Sequence, residues 1–174
     1  VLARNWRCSV GEIDLVLASP THGALLVETK GGHVHLREGV WHQYDRRMKK
    51  SPVQQVMRAK HQLVQRCRTC NVNTDLVPMR HVVALPDVGS VPEDGLGPDA
   101  PAEIVFAAPQ LQHPVAAIDR LVRERTPVPH AEFDRFLQTL RPDIVLDGTP
   151  RRLLEWARQR LDDETRVHLD QLAQ

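Results

Sequence analysis

Three side chains near the start of the chain have the types and spacing to act on a phosphate. In "GEIDLVLASPTHGALLVETK", residues 11–30, thirteen residues separate Asp14 from Glu28, and Lys30 follows two positions later. Alternate side chains of a strand share a face, so Glu12 and Asp14 point one way, as do Glu28 and Lys30. If two strands pair across the turn-forming "ASPTHG", Asp14 and Glu28 converge with the Lys30 ammonium beside them. Two carboxylates aimed into one pocket repel each other, and a hard divalent cation relieves the conflict. Mg2+ takes oxygen ligands at roughly 2.0–2.1 Å, usually one or two carboxylates, with water and substrate phosphate completing its shell. Such an ion polarises a phosphoryl oxygen and acidifies a bound water, while a lysine orients that water or steadies developing charge. The same residues also suit a plain hairpin whose strand ends carry a solvated Glu28 and Lys30 pair, worth little. Two features stand against the plain hairpin: Glu28 and Lys30 close an apolar run, "ALLVETK", and a basic segment follows directly.

That basic segment is local. The 174 residues carry a net charge of only +1, yet residues 41–80 hold nine basic and two acidic side chains, while residues 81–174 hold ten and sixteen. A positive field beside a carboxylate pair suits a polyanion, because Arg and Lys neutralise phosphates and release counterions. Arg46, Arg47, Lys49, Lys50 and Arg58 are the candidate nucleic-acid contacts; the plainer alternative is a solvated helix face.

The elements that must position these residues read as follows. "EIDLVL" (12–17) and "ALLVET" (24–29) form a hairpin, and "HVHLREGVWHQY" (33–44) forms a second hairpin around a Glu-Gly turn. Residues 51–67 change to a helical period, with Val53, Val56, Met57, Lys60, Leu63, Val64 and Cys67 on one stripe. Ser51 is the expected N-cap, Pro52 the first helical residue, and Gln54 the partner that closes a capping box. "RHVVALP" (80–86) and "AEIVFAA" (102–108) are buried-strand runs separated by a long Gly, Pro and acid-rich loop. Helical stripes follow at Val115, Ile118, Leu121 and Val122, then at Phe133, Phe136, Leu137 and Leu140, with a further helix start at Thr149 and Pro150. The fold class is therefore α/β, a mixed β-sheet flanked by helices, with a C-terminal helical extension. The expected division is 1–125 for the main domain and 126–174 for the extension.

Other features carry less chemistry. No run of about 18 apolar residues exists to span a bilayer. Three cysteines, Cys8, Cys67 and Cys70, suit reduced thiols and a cytoplasmic setting; the "CRTC" spacing of 67–70 lacks the second pair that a zinc site needs. His33 and His35 share a strand face, and Trp41 and Tyr44 are expected to pack over the sheet rather than stack on bases. Arg outnumbers Lys nineteen to four, which suggests a GC-rich bacterial genome.

"GEIDLVL", "ALLVETKGG", "GVWHQYDRRMKKSPVQQ" and "HVVALPDV" together resemble the nuclease-related domain, NERD, a branch of the PD-(D/E)XK nuclease superfamily, over residues 11 to about 112. The resemblance implies a PD-(D/E)XK core in which Asp14, Glu28 and the Thr29 carbonyl hold Mg2+ or Mn2+. It makes Lys30 the catalytic lysine and Gln55 a further site residue at the head of the following helix. Such domains usually carry an earlier helix with a Gly-Glu motif; this sequence opens at what reads as the first strand, so that helix is expected upstream or absent, with Glu12 a candidate substitute. The tail from "LRPDIVLDGTP" onward resembles the connector to a superfamily 1 helicase, and no phosphate-binding loop for a nucleotide occurs within these residues. The implied activity is metal-dependent hydrolysis of DNA phosphodiester bonds. The alternatives are a catalytically inactive nucleic-acid-binding module on the same fold, and a protein-interaction domain that uses the acidic tail.

Overall fold

Apolar β-branched runs bounded by turn residues become the strands, and the burial pattern shows which strand is central. In the structure, a computed structural model describing residues 2–8, 11–122 and 127–140, the first strands are β1 (Leu2–Cys8), β2 (Gly11–Ser19) and β3 (Gly23–Thr29). Six consecutive residues of β3, Gly23 to Glu28, are buried, which requires cover on both faces of the sheet. The chain then forms β4 (Val34–Arg37), β5 (Val40–Gln43), the two-residue β6 (Arg46–Arg47) and the helix α1 (Pro52–Thr69). After α1 come β7 (Met79–Leu85), a 3-10 turn at Ala102–Ile104, β8 (Val105–Ala107), and helices α2 (Ala108–Gln112), α3 (Pro114–Leu121) and α4 (His130–Leu140).

The main sheet has the order β1, β2, β3, β7, β8. The β1–β2 and β2–β3 pairs are antiparallel, and the β3–β7 and β7–β8 pairs are parallel. A mixed sheet flanked by helices is what the element order required. One core lies against α1 and α4, where Val16, Leu26, Val83 and Leu85 meet Val53, Val56, Leu63 and Phe136. The other face packs Leu25, Val27, Val82 and Phe106 on Ala117 of α3. Strands β4, β5 and β6 form a separate three-stranded ribbon that sends Val34 and Trp41 into the first core. The described residues lie in one compact unit, Val1–Pro142. Within it α4 already shares the core with β2, while the rest of the expected extension, including the helix start at Thr149, lies outside the described residues. No described helix is long and apolar enough to cross a membrane.

Several expectations change. The first strand is β1, one strand earlier than the hairpin at 12–29; its "LARNWRC" carries two arginines and an asparagine and so lacks an apolar signal. The strand expected over 102–108 is only Val105–Ala107, because its first residues wind into the 3-10 turn. Along α1, Met57 is exposed and Ala59 takes its place among the buried residues. Trp41 packs inward at 9% exposure, but Tyr44 is 60% exposed in a turn with φ of 53°. Cys67 is buried, and burial drives its thiol up to about 12, so the "CRTC" pair offers no ready thiolate there.

Candidate active site

The site begins where two antiparallel strands part. The β2–β3 ladder runs from Ser19↔Gly23 to Leu15↔Val27, a register that places Asp14 opposite Glu28 one step beyond its last pair. Ile13 and Val16 enter the same core although three residues apart, so strict alternation fails across Asp14. The backbone N–H of Thr29, left without a ladder partner from β2, donates to Asp14 Oδ2 at 2.7 Å. Asp14 is thus fixed in the opening by a charge-assisted bond to the strand that carries Glu28.

Glu28 is 3% exposed, one of three buried polar or charged residues among those described. Its Oε1 lies 2.6 Å from Lys30 Nζ. Burial raises its carboxyl above the ordinary value of 4.5; the Lys30 hydrogen bond and charge oppose that rise, and Asp14 and Glu12 reinforce it. Glu12, exposed at the surface, therefore acts on the same carboxylate as Asp14 does. The parallel neighbour anchors the other side: Glu28 and Thr29 pair with Val83 and Ala84, and the Lys30 N–H donates to the Ala84 carbonyl at 2.9 Å.

The sequence reading missed Asp87. Its Oδ2 accepts the Gly32 N–H at 2.5 Å, and Gln43 Nε2 donates to the Gly31 carbonyl at 2.8 Å, so the segment just after Lys30 is held from two directions. A side chain at Gly32, where φ is +76°, would run into the Tyr44 ring. Fifty-five positions separate Gly32 from Asp87, and no local spacing rule connects them.

The remaining expected residues fall outside this cluster. Gln55 sits in the first turn of α1, its amide donating to the carbonyls of Lys50 at 3.1 Å and Ser51 at 3.4 Å; among the described residues it makes no hydrogen bond to Asp14, Glu28 or Lys30. Arg46, Arg47, Lys49, Lys50 and Arg58 are exposed, and none forms an ion pair among the described residues. No described group of three or more His, Cys, Asp or Glu side chains is arranged to hold a metal. The donors at the strand opening are two carboxylates beside a backbone, hard oxygen atoms of the kind that Mg2+ or Mn2+ accepts.

Fold and cluster together define a mixed α/β domain with a carboxylate pair and a lysine at the separating ends of two central strands. Residues 1–86 match the family model described as NERD, the nuclease-related domain. That span contains Asp14, Glu28, Thr29, Lys30, Gln55 and all five basic candidates. No curated protein and no solved structure matches the chain.

Proposed function

We propose that this domain is a metal-dependent nuclease of the PD-(D/E)XK type acting on DNA, in a cytoplasmic setting and attached to a helicase in the full-length protein. The observation that carries this reading is the buried Glu28, set opposite Asp14 at the strand opening with Lys30 against it. Burying a carboxylate costs free energy, and a fold does so at a strand end chiefly where the group has work to do. Asp14, Glu28 and the Thr29 carbonyl would hold Mg2+ or Mn2+, which supplies Lewis-acid charge against a phosphate. Lys30, 22% exposed in its side chain, sits where its ammonium can orient a water or steady charge that builds on the phosphate. Gln55 and the exposed arginines and lysines would meet the strand as it approaches.

The second reading is a nucleic-acid-binding module without catalysis. It rests on the partners already present: Glu28 is paired with Lys30 and Asp14 with the Thr29 N–H, so neither carboxylate depends on a metal for a partner. Calorimetry with Mn2+ and an oligonucleotide separates the two. Nuclease action predicts metal binding that Glu28→Ala removes, and cleavage abolished by Asp14→Ala, Glu28→Ala or Lys30→Ala with the fold retained. Salt-dependent oligonucleotide binding without any metal binding would establish the module instead.

A further inference from the structure

The β4–β6 ribbon has two unlike faces. Residues directly opposite in an antiparallel pair share a face, and neighbours along a strand alternate. Leu36↔Trp41 and Val34↔Gln43 lie on the side that contributes Val34 and Trp41 to the core. The pairs His35↔His42, Arg37↔Val40 and His42↔Arg47 therefore lie on the outer side. There the imidazoles make a row: His33 and His35 have ring centroids 4.9 Å apart, and His35 and His42 are stacked at 5.2 Å with planes 10° apart. His42 is held in place by a 3.0 Å hydrogen bond between its Nδ1 and the Val40 carbonyl. His35 Nδ1 is buried with no hydrogen-bond partner, so stacking rather than a polar contact holds that ring.

Arginines flank the row. Arg37 and Arg47 are exposed on the same face, Arg46 lies on the opposite one across from Gln43, and the acids of this segment, Glu38 and Asp45, occupy its two turns. The ribbon is also fastened to the candidate site. His33 follows Lys30 by three residues, which limits their Cα separation to about 11 Å. Gln43 grips the Gly31 carbonyl and Asp87 the Gly32 N–H.

We propose that this outer face binds an unpaired nucleic-acid strand beside the carboxylate site, with bases stacking at the two ends of the imidazole row, on His33 and His42, and phosphates on Arg37 and Arg47. Flat rings interleaved with guanidinium groups are what a single strand offers partners for, since every base has a π-face and every linkage a charge. A duplex keeps its base faces covered and engages only the arginines. The inference deepens the nuclease reading and rests on nucleic acid being the substrate.

The test is fluorescence anisotropy of a labelled oligothymidylate with the whole chain in EDTA, where no cleavage interferes. The double change His33→Ala with His42→Ala weakens binding about tenfold or more, as loss of base stacking does elsewhere. His42→Phe, which keeps a flat ring, retains binding, and so does His130→Ala, remote in sequence and exposed at the start of α4. Arg37→Ala, an exposed change that leaves the core untouched, weakens binding and lowers the salt slope by about 0.7, which keeps the test decisive if the alanine pair does not fold. Unchanged affinity in the double variant or in Arg37→Ala overturns the proposal, as does equal competition by an unlabelled duplex. Oligonucleotide binding without Mn2+ binding leaves this surface standing and removes the nuclease reading; Mn2+ binding without oligonucleotide binding does the reverse.

Discussion

At Glu28 the proposed function and the stability of the fold pull in opposite directions. Its carboxyl is lifted above 4.5, chiefly by burial, so between 4.5 and the raised folded value the native state binds more protons than the unfolded chain. Stability attributable to this group is then highest in acid and falls as pH rises through that window. Glu28→Gln removes the desolvated charge, keeps the shape and frees Lys30 toward solvent. The variant is expected to melt at a higher temperature than wild type near pH 7, with the difference vanishing below pH 4.5, while losing Mn2+ binding altogether. Equal melting temperatures at pH 7 would show that the Lys30 pair fully offsets the burial. Of this site, the sequence displayed the residue types and the strand pairing. It did not display that Glu28 is buried while Asp14 is engaged by the Thr29 N–H, because both depend on where the ladder ends.

Among the elements, those with local signals were the legible ones. Ser51 Oγ accepts the Gln54 N–H at 3.0 Å and Gln54 Oε1 accepts the Ser51 N–H at 3.3 Å, the capping box that the spacing announced for α1. The Glu38-Gly39 turn of the second hairpin was equally plain, and both residues adopt positive φ. Elements whose stability comes from neighbours were not legible: β1 is polar in sequence and is placed by its register on β2, and the five-residue α2 has no side-chain cap. The contact between α1 and β7 holds another hidden feature. His81 lies 3.4 Å from Lys60 Nζ, and burial, with the charges of Lys60 and His61, pushes its imidazole down to about 4. Burial lowers the Lys60 ammonium as well. The unfolded chain takes up a proton on His81 near 6.5 while the folded chain resists until about 4, so this contribution is complete above 6.5 and is lost as pH falls toward 4. Replacing His81 by Gln should flatten the decline of thermal stability between those two values. An unaltered acid profile would mean that other groups govern it.

At the scale of the whole molecule, net charge is a poor guide to partners. A chain of net charge +1 has little overall attraction for a polyanion, and the acidic half of the sequence opposes it. What the fold does is keep the basic block exposed on one continuous stretch of chain, from the β5–β6 turn through β6 to the first turns of α1, with only β4 and β5 between it and the segment that carries Glu28 and Lys30. Binding should therefore follow the local charge. For a single strand, the logarithm of affinity falls with the logarithm of salt concentration by about 0.7 for each phosphate neutralised. If Arg46, Arg47, Lys49, Lys50 and Arg58 each meet one phosphate, the block contributes about −3.5 to the slope, and replacing Arg46 and Arg47 by Ala reduces the magnitude by about 1.4. Replacing two arginines outside the block, Arg120 and Arg135, should leave the slope unchanged, although the net charge changes by the same amount. Equal effects from the two pairs would mean that overall charge drives the attraction and that the exposed block has no special part in it.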